Sequence, residues 1–94
     1  MKFEDLTFEH NKYMNGEQAV HMFDNYYGVS VVRGQYTYGG KKGRYEIAVI
    51  HMGPNDTEST IMYDTPITCD VIGYLTPEGV TDIMKQVSEL PIRN

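Results

Sequence analysis

Residues 45–51 read YEIAVIH. On an extended chain successive side chains point to opposite sides, so Tyr45, Ile47, Val49 and His51 share one face and Glu46, Ala48 and Ile50 the other. Both faces carry apolar residues, which places this strand in the middle of a sheet. Upstream, residues 27–33 (YGVSVVR) are dense in β-branched side chains and predict a second strand. Residues 17–23 predict a third, with Ala19, His21 and Phe23 on one side and Val20 and Met22 on the other. The link 24–26 is short enough for an antiparallel hairpin. Downstream, Gly53-Pro54-Asn55-Asp56 is a dense turn signal, and residues 59–63 (STIMY) predict a fourth strand. A short extra strand is expected over residues 6–9. The rest of residues 1–16 reads as a polar lead-in that ends in the turn pair Asn15-Gly16.

The periodicity changes near the C-terminus. Residues 64–70 are expected to be irregular, because Pro66 has no N–H to give to a ladder. Thr76 is a good N-cap, and Pro77 suits the first helical position, where a missing N–H costs nothing. Leu75 and Val80 occupy the two positions of a hydrophobic staple. Val80, Ile83, Met84, Val87 and Leu90 follow at helical spacing and predict a helix over 77–90, ended by Pro91. The expected architecture is α+β: an antiparallel meander of about four strands over 17–63, packed against one C-terminal helix. One helix covers one face of such a sheet, so a second copy of the chain, as a homodimer, is the expected cover for the other.

Composition sets outer bounds. Ninety-four residues make one domain, 1–94, and 40% hydrophobic content favours a folded core over a disordered chain. The formal charge of −5 works against non-specific attraction to nucleic acid or anionic membrane. No apolar run approaches the roughly 20 residues needed to span a bilayer, and the first residues are too polar for a signal peptide. A lone Cys69 excludes an internal disulfide and fits a reducing compartment, so a cytoplasmic location is expected.

The positive charge is concentrated. Arg33, Lys41, Lys42 and Arg44 are half of the eight Lys and Arg residues, and they lie in RGQYTYGGKKGR, residues 33–44, which has no Asp or Glu. That stretch is +4, leaving −9 on the rest. Four glycines loosen it. Among the eight tyrosines, Tyr36 and Tyr38 stand apart because a loop offers them less core to pack on. Arg33, Tyr36, Tyr38, Lys41, Lys42 and Arg44 are therefore the candidate contact residues, for an anionic nucleotide or nucleic acid or for a protein. The competing reading is a solvated hairpin loop whose lysines only keep it soluble.

Catalytic signals are weak. His10, His21 and His51 have no metal-ligand spacing, and Cys69 has no second cysteine. No nucleophile elbow of the Gly-x-Ser-x-Gly type occurs, and no carboxylate pair is singled out. Gly39-Gly40-Lys41-Lys42-Gly43 is not a phosphate loop of the hydrolase type, because it lacks the following Ser or Thr and leads into a strand. The chain is read as non-enzymatic, without metal or cofactor.

A set of strand and turn motifs carries a resemblance over about residues 17–90. These are Gly28-Val29-Ser30-Val31-Val32-Arg33, Tyr38-Gly39-Gly40, Gly43 with Tyr45-Glu46, Asp64-Thr65-Pro66-Ile67-Thr68, and Asp70-Val71-Ile72-Gly73-Tyr74-Leu75-Thr76. In them the chain resembles a family of small bacteriophage-encoded accessory proteins. The resemblance implies no transferable activity. It implies a phage gene product acting in the host cytoplasm, of the kind that binds and inhibits a host protein, an anti-defence inhibitor of a CRISPR effector among them. The alternative is a module that binds or sequesters a nucleotide or nucleic acid through residues 33–44, and a role in virion assembly is a third. Salt separates the first two, because binding through several phosphates weakens steeply as salt rises.

Overall fold

The computed structural model describes residues 1–12, 15–35, 37, 40–67 and 71–93, with Lys41 described by its backbone alone. Within them the strands are β1 (Glu9–Asn11), β2 (Gly16–Met22), β3 (Tyr27–Gly34), β4 (Tyr45–His51), β5 (Thr60–Ile61) and β6 (Ile72–Leu75), followed by helix α1 (Pro77–Ser88). The sheet is antiparallel in the order β1-β2-β3-β4-β5, and β6 also pairs with β4. Strands β5 and β6 share one side of β4: β5 pairs its Ile50–His51 end, and β6 runs beside Tyr45–Ile47. The expected α+β sheet with one C-terminal helix is therefore present, and β4 is central as its two apolar faces require.

Register explains the core. Ala19 lies opposite Val31, and Val31 opposite Ile47, so one face runs unbroken across three strands. On that face Tyr27, Val29, Val31, Tyr45, Ile47 and Val49 meet Val80, Met84 and Val87 of α1. Burying each such aliphatic side chain stabilises by about 1.5–3 kcal/mol relative to leaving it exposed. The helix starts where its cap directs: Thr76 Oγ1 accepts from the Gly79 N–H at 3.1 Å. It ends at Ser88, two residues short of the expected limit, and Ile83 and Leu90 are only partly buried.

Five features depart from the sequence expectations. The first strand is at 9–11 rather than 6–9, because Leu6 and Phe8 turn into the core instead of pairing. The lead-in is not simply polar: Phe3, Phe8 and Tyr45 form a ring cluster with centroids 4.9–5.6 Å apart, and the Phe3 N–H donates to Thr81 Oγ1 at 2.9 Å. The fourth expected strand shrinks to the two residues of β5. Strand β6 was not expected at all; it fills the remainder of the β4 edge. The second face of the sheet is also less open than one helix would leave it. Val32, Ala48 and Ile50 on that face are buried within the single chain, and Val20 and Ile61 are exposed at its margins.

Asn25, in the β2–β3 turn, ties the two layers together. Its side-chain amide donates to the Val87 carbonyl at 2.8 Å and to the Leu90 carbonyl at 2.9 Å. Its Oδ1 accepts from the Tyr27 N–H at 3.1 Å. One side chain thus ties the β2–β3 turn to the C-terminal end of α1, where the Val87 carbonyl also accepts from the Leu90 N–H at 3.2 Å.

Candidate binding surfaces at the two ends of the sheet

At the end of the sheet nearest residues 33–44, strand register lines up a row of polar side chains. His10 pairs with Glu17, and Glu17 pairs with Arg33. The next position across the sheet is Tyr45, and the Arg33 guanidinium sits over its ring, 4.9 Å from the centroid. Arg33 Nη2 donates to Glu17 Oε1 at 2.6 Å. Both partners are more than a third exposed, so the pair adds little stability. Its effect is positional: Arg33 is fixed between a carboxylate and a ring, and one of the four cations of the basic stretch is already engaged.

The stretch that follows is built from linked turns rather than a featureless loop. Thr37 N–H donates to the Gly34 carbonyl, Gly40 N–H to the Thr37 carbonyl and Gly43 N–H to the Gly40 carbonyl, at 3.3, 3.1 and 3.0 Å. Thr37 Oγ1 accepts from the Gly34 N–H at 2.9 Å and donates to the Gly34 carbonyl at 3.0 Å. Residues Gly40–Lys42 form a 3-10 turn. A side chain at Gly40 would place its Cβ 1.8 Å from the Gly34 carbonyl oxygen, and one at Gly16 would lie 2.1 Å from that of Arg33. Glycine is required at both places by the close approach of backbone. The side chains of Lys42 and Arg44 are exposed. Tyr36 and Tyr38 lie outside the described residues, and of Lys41 only the backbone placement in the 3-10 turn is described.

The two turns enclose an open hollow of about 560 Å3. Its polar lining comes from Glu9, His10, Asn15, Glu17, Arg33 and Gln35, with Phe8 on one side. Asn15 Nδ2 donates to Gln35 Oε1 at 2.9 Å and links the β1–β2 turn to the loop after β3. Sequence reasoning found Arg33 but not Glu17 or His10, which become its neighbours only through strand register.

The opposite edge, along β5 and β6, has a different character. Tyr63 is 56% exposed, Tyr74 61% and Ile61 42%. Tyr45 pairs with Leu75 and Ile47 with Ile72, so Gly73 and Tyr74 together oppose the single residue Glu46 in a β-bulge. Tyr74 is held there at φ 59°, in the left-handed region that bulky residues avoid. The stretch of chain that contains both strands is acidic in sequence. Residues 45–84 contain seven Asp and Glu and no Lys or Arg. Arg93 reaches back to Asp64 at 3.4 Å, and its carbonyl accepts a contact from His51 Nε2. The Tyr27 hydroxyl, and then Asp64, push the Arg93 pKa above its usual value, so this cation stays charged. The charge gap over 45–84 was the sequence signal that would have marked this edge.

Comparison with protein-family models, with characterised proteins and with solved structures gives no match. Among the described residues no helix is long and apolar enough to cross a membrane, and no three His, Cys, Asp or Glu residues are grouped to hold a metal.

Proposed function

We propose that this chain is a non-enzymatic accessory protein of the bacteriophage type, which binds a host protein in the host cytoplasm and inhibits it, a defence component being the target class. The observation that carries the reading is Tyr74. A left-handed backbone costs an L-residue about 1–2 kcal/mol, and a ring 61% exposed recovers little of that from the core. Strain of this kind is characteristically retained where a side chain must be presented to something else. Tyr63 and Ile61 stand exposed nearby in the chain, and tyrosine is enriched among residues that dominate interfaces. The carboxylates around them favour a partner whose surface is basic.

The test uses the immobilised protein and host-cell lysate, comparing wild type with Tyr74→Gly and Tyr63→Ala. Glycine adopts φ 59° without strain, so Tyr74→Gly should melt at the wild-type temperature or higher while losing a specific captured protein. A loss of about 2 kcal/mol, or roughly 30-fold in affinity, is the size expected for an interface anchor. Identical capture by wild type and both variants would remove this edge as the docking surface.

A second reading, a nucleotide or nucleic-acid module acting through Arg33, Tyr36, Tyr38, Lys41, Lys42 and Arg44, is favoured by the hollow at the root of the basic loop. Repeating the capture across a range of salt distinguishes the two, because phosphate contacts give the steeper dependence.

A further inference from the structure

We propose that the hollow beside Arg33 takes a nucleoside phosphate, with an amine-bearing base inside and the phosphate on the Lys42–Arg44 rim. This rests on the anion-binding reading of the loop and adds a base-binding pocket to it.

The argument begins with the distribution of charge. Among the described residues the lining carries two carboxylates, Glu9 and Glu17, against one guanidinium, Arg33. A bare anion placed inside would meet more negative than positive charge. Lys42 and Arg44, both exposed, follow the lining residue Gly40 by two and four positions in the chain, and the proposal sets them at the mouth. An acidic wall with a basic rim fits a ligand of the opposite polarity: hydrogen-bond donors at one end and an anion at the other. Amine-bearing nucleobases joined to a phosphate have that polarity.

Hydrogen-bonding capacity points the same way. The Glu17–Arg33 bond occupies one carboxylate oxygen and one guanidinium nitrogen. Among the described residues, Glu17 Oε2 is left to accept from an exocyclic amine, and Arg33 keeps further N–H groups to donate. The Asn15–Gln35 bond uses one end of each amide, and both residues line the hollow. Phe8, half-buried against Phe3 and Tyr45, supplies apolar surface on one side. At about 560 Å3 the hollow lies within the range of about 300–1,000 Å3 typical of small-molecule sites. Backbone at Gly16 and Gly40 approaches too closely to admit a side chain, and the Asn15–Gln35 bond joins two of the lining residues.

The experiment is calorimetric titration of the full chain with GMP and AMP, with ribose 5-phosphate as the base-free probe and UMP as the base without an exocyclic amine. Saturable binding of GMP or AMP is expected, with ribose 5-phosphate and UMP weaker by at least about tenfold, the size of a lost hydrogen bond to a charged group. Glu17→Gln should weaken the purine nucleotides by a similar factor while leaving ribose 5-phosphate unchanged. The double variant Lys42→Ala, Arg44→Ala should weaken every phosphate-bearing probe and flatten the salt dependence. His10→Ala serves as the second pocket variant if Glu17→Gln does not fold by circular dichroism; it should weaken GMP and AMP selectively. Equal binding of GMP and ribose 5-phosphate, or purine binding indifferent to the folded pocket variant, would overturn the base pocket and leave a simple anion cradle. Binding of none of the probes would overturn both.

Discussion

Asn25→Ala should destabilise this protein far more than a turn substitution normally does. Asn25 is 7% exposed. Its amide donates to two carbonyls at the end of α1, and its Oδ1 accepts from the Tyr27 N–H. Alanine removes three hydrogen bonds, while the Val87 carbonyl keeps the Leu90 N–H as a donor. At about 1 kcal/mol for each bond the loss is about 3 kcal/mol. In a domain of this size 1 kcal/mol moves the melting temperature by about 4–8 °C, so a fall of about 12–24 °C is expected by calorimetry or circular dichroism. Asn25→Asp should be worse at neutral pH. It puts a carboxylate against two carbonyl oxygens at the negative end of the helix dipole. Protonation would restore a donor, so the gap between Asn25→Asp and wild type should narrow as pH falls through the carboxylate range. Asp24→Ala, at the exposed neighbouring position of the same turn, should melt with wild type. A fall of less than about 4 °C for both Asn25 variants would show that Asn25 is only a turn residue and that the helix end is held by other contacts.

Two further substitutions check the packing. Val87→Asp places a charge at a position 0% exposed under the sheet, and no folded population should remain at room temperature by circular dichroism; an unchanged melting temperature would refute the docking of α1. Phe3→Ala removes a ring packed edge-on against Tyr45, and a half-buried ring of this kind should cost about 2 kcal/mol in denaturant unfolding. A wild-type midpoint would mean that the lead-in is not part of the core.

The elements legible in the sequence are those whose signal is local. Strand β4 is a seven-residue run with apolar side chains on both faces, and α1 shows a cap, a proline at its start and an apolar stripe. The elements that escaped depend on partners distant in the chain. Strand β6 contains Gly73 and a left-handed Tyr74, which break the alternation that would have marked it. Phe3, Leu6 and Phe8 are diluted by charged neighbours, so their shared destination in the core cannot be read from composition. Asn25 carries an ordinary turn signature, while its partners lie 62 and 65 residues away.

The same distinction governs the candidate contact residues. Counting charge along residues 33–44 treats all four cations as equivalent, but strand pairing brings Glu17 to Arg33 and lays that guanidinium over Tyr45. Arg33 belongs to the end of β3 and shapes the wall of the hollow, whereas Lys42 and Arg44 lie beyond the linked turns and remain exposed. On the proposed reading Lys42 and Arg44 put positive charge at the rim, outside the residues that line the hollow. An anion at the rim meets two uncommitted side chains, while anything entering the hollow meets a carboxylate beside a guanidinium whose position is already set. Charge reversal over so short a distance selects a ligand by its polarity as well as its charge, and that is why a base-free phosphate is the decisive probe of this surface.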